Sequence, residues 1–305
     1  MKLLKKKRFK NLIELNVAIL FMSTSGVLGR YIDLPVPTII ATRALLASLF
    51  IFIFCKWKKF DFTIKKKDRV AFIIGGLLMG LHWITYFYTL KLSSVAVGML
   101  LLFTYPIITA FLEPIFLKTK FQKIHIVLGG IVLIGVYFIV PDFGMEKTYL
   151  KALGLGTLSA VCYSLRNLIM KAKSTDYKGL ILMFYQLIII TICLAPFFFI
   201  LDNTGFVNQL PASLVLALLT TAIGHTYLLY SFKKFSTTSV SIISSSQPIY
   251  GIIIAMLFLN EYPEIRTILG GAFLLASVII ESIRSNNKAQ NNEHISTKIS
   301  YKIRE

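Results

Sequence analysis

The chain of 305 residues is 56% hydrophobic and only 15% charged, with a mean hydropathy of +0.72 and a formal net charge of +19. Soluble domains are about 45–50% apolar and about 25% charged, so a water-soluble fold is excluded. A β-barrel is excluded as well, because its strands would appear as short alternating segments rather than solid apolar runs. The positive charge does not point to nucleic acid, since it lies in short clusters between apolar segments, the pattern of loops facing anionic lipid.

Apolar runs long enough to cross about 30 Å of hydrocarbon recur along the whole chain. They predict ten spans: Asn11–Gly29, Pro37–Cys55, Val70–Leu90, Val95–Leu117, Ile124–Val140, Ala152–Met170, Gly179–Ile200, Pro211–Phe232, Thr237–Leu259 and Ile265–Ile283. The expected fold is all-α, a polytopic membrane protein. The start MKLLKKKRFK resembles the basic region of a signal peptide, but the apolar run behind it contains Glu14 and has no A-x-A-type cleavage site. It reads as a retained first helix. Basic residues crowd the ends of helices 2, 4, 6 and 8 and both termini, and few fall in the other set of loops. By the positive-inside rule both termini face the cytoplasm. The polar tail, residues 285–305, lacks apolar periodicity and reads as disordered. Cys55, Cys162 and Cys193 all fall within or at the ends of spans and offer no disulfide framework.

The stretch GLHWITYFYTLKLSSVAVGMLLLFTYP, Gly80–Pro106, returns as IGHTYLLYSFKKFSTTSVSIISSSQP, Ile223–Pro248. His82 and His225 are 143 positions apart (225 − 82), and Pro106 and Pro248 are 142 apart (248 − 106). LGGIVLIGVYFI at Leu128–Ile139 matches LGGAFLLASVII at Leu269–Ile280. Each copy holds five spans, an odd number, so the second enters the membrane the other way up. The reading is two inverted five-helix repeats, 1–141 and 147–284, about an axis in the membrane plane. Gly76 and Gly80 form a G-x-x-x-G face on helix 3, a packing signal.

Polar groups inside the spans are the candidate site. Arg43 sits about 9 Å into helix 2, where a charge costs roughly 2.5–3.5 kcal/mol on insertion scales and must face a cavity or a partner. Its repeat counterpart is Gln186 (186 − 43 = 143). His82 and His225 lie at mirrored depths, and Trp83, Tyr86 and Tyr105 offer flat walls and hydroxyls. Tyr185, Tyr227 and Tyr250 are weaker candidates of the same kind. Pro106 and Pro248 free backbone carbonyls at membrane depth, which is tolerated where a cavity or a neighbouring helix satisfies them. Ser244, Ser245, Ser246 and Gln247 make the second of these the most polar mid-membrane stretch of its half. Glu14 and Glu113 are candidates for proton coupling if desolvated. Arg166 and Asn167 are expected at the cytoplasmic surface. H-E-x-x-H spacing, a phosphate-binding loop and a nucleophile elbow are all absent from the sequence, so no metal, no cofactor and no enzymatic chemistry is expected.

The chain resembles the ten-helix drug/metabolite transporters of the EamA type. The resemblance rests on TRALLASLFIFIF at Thr42–Phe54, TYPIITAFLEPIFLKTKF at Thr104–Phe121 and SQPIYGIIIAMLFLNEYPEIRTILGGAFLLASVII at Ser246–Ile280, with Glu261 at the end of helix 9. The first-half counterpart of Glu261 is Thr119, and a carboxylate lies deeper, at Glu113. The resemblance implies secondary transport of small organic solutes across the plasma membrane by alternating access, of amino acids or related metabolites, in the outward direction. A small-solute importer and a lipid-linked solute flippase are the alternatives. A non-transporting membrane sensor and an intramembrane enzyme stand further off. The partners expected are a small organic solute and the lipid bilayer, and the choice between monomer and homodimer stays open.

Overall fold

The computed structural model describes residues 2–117, 121–139, 147–235, 240, 244, 246–280 and 283–284. The tail expected to be disordered lies outside the described residues, as does most of the segment joining the two halves. Among the described residues every regular element is helical. This is what a bilayer demands, since a helix satisfies its own backbone N–H and C=O groups.

Ten helices follow one another, as the sequence predicts. They are α1 (Lys2–Tyr31), α2 (Val36–Trp57), α3 (Arg69–Leu92), α4 (Val95–Phe116), α5 (Ile124–Ile139), α6 (Lys147–Lys173), α7 (Gly179–Ile200), α8 (Phe206–Lys234), α9 (Gln247–Leu259) and α10 (Ile265–Ile280). By length and composition α2, α3, α4, α7 and α8 are sufficient to cross a membrane, and α5, α9 and α10 are shorter apolar helices. The long α1 and α6 carry basic residues in their terminal turns. Leu133, Ile192, Phe199 and Leu257 are 68–86% exposed on the outside of the bundle, a placement suited to hydrocarbon and not to water.

Lysines and arginines of the α2–α3 and α6–α7 connections and the end of α8 gather at one end of the bundle, called here the basic face. The α1–α2, α3–α4, α7–α8 and α9–α10 connections lie at the opposite face. Packing between the two sets of five helices is reciprocal: α1 lies on α8 and α9, α6 lies on α3 and α4, and α2 faces α7. The glycine face of α3 permits part of this, since a Cβ on Gly76 would meet Ile189 of α7 at 2.8 Å. The same local bonds also recur at opposite faces. The Asp61 carboxylate accepts the Thr63 amide at 2.9 Å and the Thr63 hydroxyl at 2.6 Å, and Asp202 accepts the same two donors of Thr204 at 3.0 and 2.6 Å. Asp61 closes the α2–α3 connection and Asp202 the α7–α8 connection, 141 positions on (202 − 61). In each, the threonine hydroxyl first and its amide second hold the carboxyl below its ordinary range.

Two helices depart from regular geometry where the site is built. α4 breaks after Leu102, turns at Phe103 and Thr104 and resumes at Tyr105. Pro106, having no N–H, cannot continue the ladder through this point. In α8 the ten residues Leu216–His225 adopt π-helical winding, which the apolar pattern does not signal. Wider winding changes which side chains share a face, and such segments gather at functional positions.

Candidate functional site

Between the two sets of helices lies a buried, partly polar cavity. Its walls are Met22 and Ser25 of α1, His82, Trp83 and Tyr86 of α3, Leu102 and Phe103 at the break in α4, Tyr163 of α6, His225 of α8 and Gln247 of α9. Each of these residues is at most 7% exposed, so the cavity is buried among the described residues. Its free space is only about 20 Å³, room for about one water.

The Ser159 hydroxyl donates to the His82 carbonyl at 3.1 Å, and with its one proton so used its oxygen accepts from His82 Nδ1 at 2.7 Å. The imidazole stacks on Tyr163 with ring centroids 4.5 Å apart. His225 lies 5.5 Å from Trp83 and 6.4 Å from Tyr163 by the same measure. Two buried polar atoms of the wall, Tyr86 Oη and His225 Nδ1, have no hydrogen-bond partner among the described residues. Buried polar atoms are rarely left so. Removing the partner of His82 strands a further one. Ser159→Ala is therefore expected to destabilise the folded protein by about 1–3 kcal/mol, read as a lower melting temperature in detergent.

Arg43 stands one layer behind this wall. It is fully buried; Nε donates to Thr221 Oγ1 at 2.6 Å, Nη2 to Thr220 Oγ1 at 3.0 Å and Nη1 to Ser25 Oγ at 3.4 Å. Its Cζ lies 3.9 Å from the Trp83 ring centroid. The π-helical winding of α8 brings the adjacent Thr220 and Thr221 onto one guanidinium, and both hydroxyls also donate to the Leu216 carbonyl, at 2.6 and 3.2 Å. Every one of these partners is neutral. Ser25 and Trp83 both line the cavity and both touch Arg43, so the charge reaches the cavity through them.

Gln186 lies away from the cavity. Its Oε1 accepts from Arg166 Nε at 2.6 Å, and its Nε2 donates to the Leu182 carbonyl at 2.7 Å. Arg166 is fully buried and also donates to Asn167 Oδ1 at 2.9 Å. This corrects the sequence-based expectation that Arg166 and Asn167 meet the cytoplasmic surface. Arg166 lies 143 positions after Ser23 (166 − 23), the spacing that also separates His82 from His225, and Ser23 too is fully buried in α1. Tyr105 packs edge-on against Tyr163 at 4.9 Å behind the α4 break. Tyr185 donates to the Phe62 carbonyl at the basic face. Glu14 pairs with Lys234 at 2.9 Å in a partly exposed position at the basic face, and Glu113 is partly buried in the basic-face third of α4. Sequence reading passed over Tyr163, Ser159, Ser25, Thr220 and Thr221. Only the Thr-Thr pair inside an apolar run gave a local sign.

Ionic clasps lie at both faces of the bundle. At the opposite face Glu261 accepts from Arg30 Nε at 2.8 Å and, through its other oxygen, from the Val95 amide at the start of α4 at 3.0 Å. Arg30 also donates to the Leu90 and Lys91 carbonyls at the end of α3. At the basic face Asp68 accepts from Lys173 at 2.7 Å and from the Tyr177 hydroxyl at 2.6 Å. Lys171 donates to the Phe232 and Phe235 carbonyls at the end of α8. Arg30 ends α1 and Lys173 ends α6, 143 positions later (173 − 30).

A second cavity of about 570 Å³ opens between α1, α2, α7 and α8 toward the basic face. Its lining is largely apolar and aromatic, including Phe50, Phe54, Phe60, Leu218 and Tyr230, with the Glu14–Lys234 pair at its edge.

A ten-helix polytopic bundle enclosing a buried, partly polar cavity defines the class: a membrane protein of the transporter type. The chain belongs to the EamA-like transporter family, whose model matches residues 12–140 and 150–283. It is similar to the uncharacterized transporter YxxF of Bacillus subtilis (strain 168), 23% identical over 295 residues and covering 93% of each chain. It is also similar to the pseudopaline exporter CntI of Pseudomonas aeruginosa (strain UCBPP-PA14), 22% identical over 252 residues, 81% of this chain and 86% of that one. A solved crystal structure, titled only as that of a protein, superposes with a TM-score of 0.67 at 14% identity, covering 91% of this chain and 98% of the other, a likeness of fold.

Proposed function

We propose that this protein is a secondary carrier that moves a small organic solute across the plasma membrane by alternating access, and that it is not an enzyme. The halves 1–141 and 147–284 act as inverted repeats that rock about the cavity, with the basic face and both termini in the cytoplasm. The observation that carries this reading is a buried, partly polar cavity at the contact of the halves, with an ionic clasp between the halves at each face. His82, Trp83, Tyr86, His225 and Gln247 hold the solute, with Tyr163 and Ser25, and Arg43 supplies charge from behind them. Outward movement of a metabolite follows the family reading.

In this reading the Arg30–Glu261 clasp closes the outer face and the Asp68–Lys173 clasp the inner. Leu102→Cys, in a protein whose three cysteines are replaced by Ala, puts a thiol in the cavity wall. Adding Glu261→Gln is expected to raise its labelling by an impermeant thiol reagent applied outside, and Asp68→Asn to raise labelling from inside. Labelling that neither change alters, from either side, would count against alternating access.

The apolar crevice favours one second reading, movement of a lipid-linked solute. Leu218→Trp fills part of it. If the carrier handles water-soluble solutes, their flux into proteoliposomes is expected to stay at the parent level in this variant. A blocked flux would favour the lipid-linked solute.

A further inference from the structure

Resting on the carrier reading, we infer that the solute is an organic anion, a carboxylate-type head on an apolar or aromatic body, and that the site rejects solutes whose charge is an ammonium group. The interior holds two fully buried cations, Arg43 and Arg166. Among the described residues neither has a carboxylate partner: Arg43 meets Thr220, Thr221, Ser25 and Trp83, and Arg166 meets Gln186, Asn167 and the Met183 sulfur. Among the described residues the cavity wall contains no Asp or Glu. Asp68 is the one acid buried among the described residues, and it is spent on Lys173 and Tyr177 at the basic face. Bringing an anion in supplies the missing countercharge; bringing a cation in adds a third positive charge to a low-dielectric space.

The donors point the same way. Tyr86 is 3% exposed with its hydroxyl unpartnered among the described residues, and the Ser25 hydroxyl, which accepts from Arg43, lines the cavity. An ammonium group would find only neutral acceptors there, such as the Gln247 amide and His225 Nδ1, and would need a carboxylate or an open aromatic face to offset the two arginines. The Trp83 face carries the Arg43 guanidinium already. Around these donors Met22, Leu102, Phe103 and Tyr163 form an apolar and aromatic wall for the body of the solute.

The test uses three compounds of one shape: phenylpropionate, phenylpropylamine and phenylalanine. Each is titrated into the purified full-length protein while thermal unfolding is followed. Phenylpropionate is expected to stabilise at a concentration at least about tenfold lower than either amine-bearing compound. Arg43→Lys, which keeps the charge, retains this preference, and Arg43→Gln abolishes it. Should Arg43→Gln fail to fold, Tyr86→Phe serves, with an expected several-fold loss for phenylpropionate alone. The inference is overturned if phenylpropylamine or phenylalanine stabilises as well as phenylpropionate, if no compound stabilises, or if the preference survives Arg43→Gln. Flux of any solute in proteoliposomes would then still uphold the carrier reading, and absence of all flux would sink that reading instead.

Discussion

Arg43→Met is expected to leave the protein folded, with a melting temperature at or above the parent's, while solute flux in proteoliposomes falls at least about tenfold, a change of about 1.4 kcal/mol. The two halves of this outcome have separate causes. The Thr220 and Thr221 hydroxyls also donate to the Leu216 carbonyl, so losing the guanidinium strands neither. Methionine fills much of the same space at a cost that for volume-conserving swaps is below about 1.5 kcal/mol. Exchanging a buried charge for an apolar group of similar size is often neutral or stabilising. Function has no such compensation. A unit charge one side-chain layer away, about 7 Å from an anion, contributes about 2 kcal/mol at an effective dielectric near 20, enough for a tenfold change. Parent-level flux in this variant, at equal protein per vesicle, would remove Arg43 from the working site.

Gly270→Leu is expected to be among the most damaging single changes in the chain, and the damage is to folding. α5 and α10 touch backbone to backbone: a Cβ on Gly270 would lie 2.5 Å from the Gly135 carbonyl oxygen and 2.6 Å from Ile139 Cγ1. A carbonyl cannot rotate aside as a side chain can, so the helices must part. Overpacking costs about 1–3 kcal/mol even where side chains can yield, against a total stability of only about 5–15 kcal/mol. Heating of detergent-solubilised protein followed by size exclusion should show a midpoint well below the parent's. Gly154→Ala is the control, because a Cβ there meets nothing within 4 Å; alanine is the better helix former by about 0.8–1.0 kcal/mol, so that midpoint should hold or rise. A Gly270→Leu protein as heat-resistant as the parent would mean that the α5–α10 contact is not tight.

The sequence by itself determined the number of helices, their order and the class of protein. Hydrocarbon length and the need to satisfy every backbone group leave an apolar chain little choice, and these are local demands. It also brought forward His82, Trp83, Tyr86, His225 and Gln247, because a polar or amphipathic group inside an apolar run is visible without knowing its neighbours. What a buried group meets was not visible. Gln186 looked like a cavity residue and instead caps Arg166; Arg166 looked like a surface residue because it precedes the lysines Lys171 and Lys173 at the end of α6. Tyr163 and Ser159 joined the site only when α6 was packed on α3. The π-helical turn that sets Thr220 and Thr221 on Arg43 left no mark in the apolar pattern, since it comes from contacts between helices and not from propensity. Tertiary structure alone decided that the interior holds two cations with no carboxylate partner among the described residues. Countercharge is a property of distance across helices, and residues that meet there are 17 to 178 positions apart along the chain.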